Sequence, residues 1–436
     1  MAIEQVIFVL VFFGFTLLFI KNFRRIRRNI NLGKDINRSN NPKLRWKTMA
    51  KVALGQSKMK VRPVVAFFHL IIYLGFIIIN IEVIEILIDG IFGTHRVLSF
   101  LGKFYSFLIG TFEIFAFLVL IACIVFFFRR NFMSIKRFLS SEMKGWPKSD
   151  ANIILIVEIM LMFAFLTMNA CDSILFSLGY SKYAEVSFSI PISQYLIPVF
   201  SDLSLKSIFI IERFCWWFHI IGILAFLNYL VISKHLHIIL AFPNTYFSNL
   251  NSKGGLSNMS SVTNEVKIML NPDIDPFAVS DDNPPERFGA KDVKDLNWIQ
   301  LMNAYSCTEC GRCTSECPAN QTGKLLSPRK IMMDVRDRLE EVGKGIDKEG
   351  ESFNDNKSLL NYISNEELWA CTSCNACTEA CPINIDPLSI IIDLRRYLVM
   401  EESAAPMELN TIFNNIENNG APWQFPAADR LNWKDE

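Results

Sequence analysis

Apolar positions crowd into the first 240 residues in five long runs, whereas the remainder of the chain mixes apolar and polar positions as water-facing protein does. The runs extend approximately from Ile3 to Ile20, Val64 to Ile88, Phe104 to Phe128, Ile153 to Leu178 and Phe214 to Leu240. A helix needs about 20 residues to cross a ~30 Å hydrocarbon layer, so each run predicts a membrane span. Glu4 stands where a signal peptide would start basic, and no small-residue cleavage site precedes Lys21, which predicts a mature first helix. Farther along, Ile331, Met332, Val335 and Leu339 recur at three- to four-residue spacing between Ser327 and Val342. Leu388 to Met400 repeats the habit, and Ser327 followed by Pro328 is a helix start. Between these halves the chain turns Asn, Ser, Gly and Pro rich, at Ser248 to Asn258 and at Asn283, Pro284 and Pro285. The expected division is a membrane region over residues 1–242, a linker over 243–298 and a helical soluble region over 299–436.

Composition agrees with two solvents: 51% of residues are hydrophobic, 13% aromatic, and 37 are Phe. The net charge of +1 gives no reason to expect a nucleic-acid partner, but the placement of charge predicts topology. Residues 21–62 hold 14 Lys or Arg against one acid, Asp35, and residues 129–150 hold six, while the alternate connections, 89–103 and 179–206, hold two each. By the positive-inside rule the N-terminus is outside, the basic loops are cytoplasmic, and five spans deliver the C-terminal half to the cytoplasm, as in a bacterial inner membrane.

Eight of the 11 Cys fall in two runs, CTECGRCTSECP over residues 307–318 and CTSCNACTEACP over residues 371–382, a repeat 64 positions apart. Each spaces three thiolates three residues apart on a winding loop, which suits three iron corners of a cubane, with the fourth Cys of each run serving the other cluster in two-cluster ferredoxins. This predicts two 4Fe-4S clusters, one on Cys307, Cys310, Cys313 and Cys381, the other on Cys371, Cys374, Cys377 and Cys317. Zinc sites use separated Cys pairs and fit this crowding poorly. Pro318 and Pro382 end the loops by fixing φ. Cys123, Cys171 and Cys215 lie in apolar runs and read as buried filler. The expected fold class is therefore all-α: a five-helix transmembrane bundle followed by an α-helical ferredoxin domain. No Gly-rich loop follows a strand-like run, so neither a flavin nor a nicotinamide site is expected.

Polar groups at membrane depth point to function. His219 and His237 are 18 residues apart, which on a continuous fifth helix is five turns on one face and about 27 Å along the axis. His235 would then point about 160° away from His219. His69 lies roughly 10 Å into the second helix, at the depth of His237, and this pair is the expected ligand set of a b-type haem. His219 and His95 are the remaining pair for a second haem, although His95 can equally contact quinone or cap a loop. Glu113 and Glu158 are candidates for proton movement.

The segments FGAKDVKDLNWIQLMNAYSCTECGRC and GKLLSPRKIMMDVRD resemble the ferredoxin part of heterodisulfide reductase-related membrane oxidoreductases. The helices, with WWFHIIGILAFLNYLVISKHLH, resemble the cytochrome b gamma subunit of respiratory nitrate reductase. The resemblance implies a quinone-linked electron conduit, some of whose members take electrons from an electron-transfer flavoprotein or exchange them with disulfide chemistry. Two departures stand out. The second helix has only His69, with Ile79 and Asn80 in its outer half, where the nitrate reductase type carries a second haem ligand. No Cys follows Cys381, whereas longer relatives continue into Cys-Cys-Gly motifs, which implies a separate cytoplasmic redox subunit as partner. The expected role is an electron-transfer subunit between that partner, the clusters, haem and quinone; the alternative is a membrane-tethered Fe-S sensor or scaffold without turnover, which needs no haem.

Overall fold

The computed structural model describes residues 3–180, 183, 188–271 and 287–435. Five helices among them are long and apolar enough to cross a membrane: α1 (Ile3–Ile30), α2 (Pro63–Phe92), α3 (Lys103–Asn131), α4 (Trp146–Ser177) and α5 (Leu205–Leu230). They pack in a closed ring, each against its neighbours in sequence, with α1 closing on α5. Large apolar side chains such as Phe13, Phe67, Phe107, Phe163 and Phe214 stay exposed on the outside of the ring. That is the arrangement of helices solvated by lipid, whose backbone bonds are all internal. Cys123, Cys171 and Cys215 are buried packing residues in it.

α1 outruns its apolar stretch. Its basic last turns stay helical and enter the soluble half, where Ile26 and Ile30 join that half's core. Asn29 donates to the Tyr305 hydroxyl at 2.9 Å, and Arg28 donates to the Gly343 carbonyl at 2.9 Å. Gly343 makes the approach possible, because a Cβ there would stand 2.5 Å from the Asn29 side chain.

The fifth span differs from expectation. α5 ends at Leu230, a turn leads to a 3-10 turn over Lys234–Leu236, and a separate helix α6 (His237–Tyr246) follows. Ser233 causes the stop, its hydroxyl accepting the His235 N–H at 3.1 Å and competing with the helix ladder. His219 and His237 therefore do not share a helix, and the 18-residue register between them does not exist. His235 does not point away either: its ring stacks on that of His237, with centroids 5.7 Å apart and planes 21° apart.

The soluble half is helical, built on α7 (Trp298–Ser306), α8 (Pro328–Glu349) and α9 (Pro387–Met400). α8 opens as the sequence predicts, with Ser327 capping the Lys330 N–H and Pro328 in the first turn. Among the described residues no strand forms; Lys34 and Asn297 make one isolated bridge. A single apolar core joins the two halves: Leu230, Val231, Leu236 and Leu240 from the membrane side pack with Leu301, Val335, Leu339, Ile390 and Leu394. In the linker interval, Pro243 lies inside α6, Ser260–Leu270 is helical, and Ala290, Val293 and Leu296 are buried in the shared core. Asn283, Pro284 and Pro285 lie outside the described residues.

Candidate metal centre and histidine pocket

The two cysteine runs fold alike. Glu309 and Gly311 in the first run and Ser373 and Asn375 in the second all have positive φ, 54°, 69°, 55° and 60°. These left-handed residues wind each loop inward, so that the thiols converge. Gly311 is also required by space, since a Cβ would meet Arg329 Nη1 at 2.5 Å. In each loop the left-handed residue turns its backbone N–H to the first thiol, Glu309 to Cys307 Sγ at 3.4 Å and Ser373 to Cys371 Sγ at 3.5 Å. Ile385 N–H reaches Cys381 Sγ at 3.3 Å.

The fold crosses the runs over. Cys307, Cys310 and Cys313 line one cavity together with Cys381 of the second run. Cys317, of the first run, lies within electrostatic reach of Cys371, as do Cys374 and Cys377. Burial lifts the Cys307 thiol to about 12 and the Cys381 thiol to about 11, with neighbouring thiols adding to both. Such sulfurs carry negative charge at neutral pH only against a bound cation, and N–H donors aimed at them suit a thiolate-ligated iron-sulfur group. The four thiols of the first set share one cavity, and the chemistry of both sets, four cysteines each, suits a cubane. Cys374 alone among the eight is exposed.

The first set faces the membrane helices. Arg312, between Cys310 and Cys313, donates to the Lys58 carbonyl at 3.1 Å and to Met59 Sδ at 3.2 Å, in the turn just before α2. In the same loop Gln56 Oε1 lies 3.1 Å from His69 Nδ1. On the other side Glu309 pairs with Lys234 and, at 2.7 Å, with Arg336. Burial would raise the Glu309 carboxyl, but the two cations outweigh it and hold it below its ordinary value. Lys234 also donates to the Pro147 carbonyl at 2.7 Å and lies 3.8 Å from Asp150.

His235 and His237 follow directly on Lys234. The His237 Nδ1 lies 3.1 Å from the Lys234 carbonyl, so its N–H donates there and Nε2 is left available. Burial, then the charges of His237 and His69, press the His235 imidazole down to about 3, so the three rings lie within electrostatic reach of one another. His219 lies elsewhere in the bundle, buried, with Nδ1 3.1 Å from the Leu161 carbonyl. His95 packs tilted against Tyr183, ring centroids 4.4 Å apart, and stands 3.4 Å from Asp172; no contact joins it to His219 among the described residues. Glu113 is fully buried and accepts from Asn169 and from the backbone N–H groups of Ile192 and Ser193. Sequence reasoning missed Gln56, Lys234 and Glu309, and set His235 aside. The one signal for Glu309 is that it occupies the repeat position of Ser373.

A family model described as a 4Fe-4S dicluster domain matches residues 306–385. The chain is 31% identical over 412 residues to a probable iron-sulfur-binding oxidoreductase FadF of Bacillus subtilis, covering 88% of this chain and 54% of that protein. It is 26% identical over 409 residues to the EtfAB:quinone oxidoreductase of Syntrophomonas wolfei, covering 88% and 53%. It is 30% identical over 106 residues to one subunit of the ferredoxin:CoB-CoM heterodisulfide reductase of Methanosarcina mazei, covering 24% and 52%. The chain thus spans about half the length of the curated relatives it matches. No solved structure matches it. Residues 306–385 carry a 4Fe-4S dicluster domain, in a chain whose relatives are iron-sulfur oxidoreductases and heterodisulfide reductase subunits.

Proposed function

We propose that the chain is the electron-transfer subunit of a membrane-bound, quinone-linked oxidoreductase, passing electrons between a cytoplasmic donor or partner subunit, two 4Fe-4S clusters, b haem and quinone. One observation carries this reading. The thiol cavity and the histidine pocket are tied together on two sides, by Arg312 and Gln56 through the loop before α2 and by Glu309 and Lys234 through the break after α5.

Cys307, Cys310, Cys313 and Cys381 hold one cluster, and Cys371, Cys374, Cys377 and Cys317 the other. His69 and His237 hold the haem, with Gln56 and the Lys234 carbonyl fixing the ring orientations from behind. His219 and His95 are the second haem pair. When bound, these groups supply one-electron chemistry, and the protein sets their spacing, polarity and hydrogen bonds. Residues 1–242 form the membrane domain, 243–298 connect, and 299–436 form the ferredoxin domain. Five spans and two basic loops support a topology with the N-terminus outside and the ferredoxin domain in the cytoplasm of a bacterial inner membrane.

Relatives named as subunits of heterodisulfide reductases, and one named an EtfAB:quinone oxidoreductase, support a partner: a separate cytoplasmic redox subunit with Cys-Cys-Gly motifs, or an electron-transfer flavoprotein. Dithionite-reduced minus oxidised spectra of purified membranes test the conduit. A b-type α band that a quinone analogue reoxidises is the expected result, and its absence leaves a membrane-tethered sensor.

A further inference from the structure

The connection from α1 to α2 runs through a short helix, Pro42–Met49, that continues as a π-turn over Ala50–Leu54. One face of it is locked to the protein. Arg45 is buried, and its guanidinium donates to the carbonyls of Tyr246 and Ser248, both at 3.0 Å, and of Asn40 at 2.8 Å. Val52, two turns on, is buried as well. The Trp46 ring meets that of Tyr246 edge-on, with centroids 5.3 Å apart. These contacts fix the segment against α6, at the end of the bundle where α5 stops and α2 begins.

The other face has no protein on it. Lys43, Lys47 and Lys51 recur every four residues and are exposed, and Leu44, Trp46 and Leu54 are exposed around them. None of the three ammonium groups finds an acid among the described residues, although the following Lys58 and Arg62 do, Glu379 at 3.9 Å and Glu316 at 3.8 Å. Trp46 keeps 60% of its surface exposed despite its contact with Tyr246. Exposed apolar side chains continue along the chain with Val61, then Val64 and Phe67 in the first turns of α2. A lysine stripe edged by Trp and Leu, leading straight into a span, has the composition of an element lying in the headgroup zone of a bilayer. There the lysine stems and the indole rest on apolar chains while the ammonium groups reach phosphate.

We propose that Pro42–Leu54 is a docking surface for anionic phospholipid, with Lys43, Lys47 and Lys51 pairing with the headgroup phosphates and Trp46 and Leu54 entering the acyl boundary. Charge complementarity selects this occupant: three unpaired cations on one stripe meet an anionic leaflet at about 1 kcal/mol, or roughly fivefold in association, for each Lys. The segment leads directly into Gln56 and Met59, so the lipid contact adjoins the loop that touches His69 and Arg312. The surface needs the spans but neither haem nor quinone. It therefore goes beyond the conduit reading, which fails or stands by the reoxidation spectra alone.

Fluorescence quenching of the full chain in nanodiscs tests it, with lipids brominated on the acyl chain near the headgroup; the difference between the unaltered chain and Trp46→Phe isolates this one ring. In phosphatidylcholine discs, brominated phosphatidylglycerol should half-quench Trp46 at a lower lipid fraction than brominated phosphatidylcholine does. Each of Lys43→Gln, Lys47→Gln and Lys51→Gln should weaken that preference about fivefold at low salt. Salt at about 1 M should narrow it, because screening then acts within about 3 Å. Fe-S absorbance retained in these exposed-site variants checks that the fold is intact. Equal quenching by the two lipids overturns headgroup recognition, and a preference that survives all three Lys→Gln substitutions overturns the role of the stripe. Trp46 unquenched by either lipid means that this face meets water or a protein, and refutes the proposal.

Discussion

Three thiols spaced three residues apart converge because one of the two residues between each successive pair is left-handed, in both runs. Spacing of this kind is local, and for that reason it was legible in the sequence. The crossing of Cys381 and Cys317 is long-range, and its consequence is measurable. Cys381→Ser should change the same paramagnetic species as Cys310→Ser, while Cys317→Ser should match Cys374→Ser; electron paramagnetic resonance of the reduced protein checks it, and a Cys381→Ser spectrum matching Cys374→Ser would reverse the assignment. Away from the thiols, Arg338 is 3% exposed in its side chain and binds Asp355 at 2.6 Å and Asp292 at 2.8 Å. The Arg338 hydrogen bonds hold the Asp355 carboxyl down to about 2. An unfolded Asp titrates near 4, so this pair's contribution is complete above about pH 4 and is lost as pH falls through about 2. Asp355→Asn should cost about 1 kcal/mol at neutral pH, a value reduced for solvent screening of a partly exposed pair. The midpoint for thermal bleaching of the Fe-S absorbance, compared between neutral and acid conditions, reads it, with the deficit shrinking toward low pH.

At the scale of elements, the five spans were legible because length and apolarity decide them. The end of the fifth was not: the apolar run continues to Leu240, and past the end of α5 Ser233 caps the next turn while Lys234 reaches Asp150 and Glu309. This break decides which imidazole does what. His237 sits at the start of α6 with its Nδ1 held by a carbonyl, whereas the His235 Nδ1 is buried without a partner. His69→Ala and His237→Ala should each remove the haem held by that pair, lowering the haem content by one per chain, and His235→Ala should keep it while shifting its potential, by pyridine haemochrome assay and redox titration. Haem lost in His235→Ala and kept in His237→Ala would exchange the two roles.

At the scale of the whole molecule, the membrane half and the soluble half share one core and buried ion pairs, Lys234 with Glu309 and Arg329 with Glu142. Sequence composition left a tether and an ordered strap equally open between them, because Asn-, Ser- and Gly-rich stretches look alike whether they hang free or lie strapped to a surface. Lys234→Met removes the cation that joins the first cysteine loop to the ends of α4 and α5. Breaking a buried pair usually costs about 3–5 kcal/mol, and the retained Arg336 should bring the loss down to about 2–3 kcal/mol. A lower midpoint for Fe-S bleaching in Lys234→Met, restored in part by Lys234→Arg, is the expected outcome; an unchanged midpoint would mean the pair is ornamental.

The overshoot of α1 into the soluble core, with Asn29 lodged between Tyr305 and Gly343, imposes a chronology on biogenesis. Translation delivers this helix to the bilayer long before α7 and α8 have left the ribosome, so the later segments complete their fold against a post already planted in lipid. Maturation enzymes that deliver iron and sulfide would therefore meet their client at the membrane surface, never as a free-floating precursor.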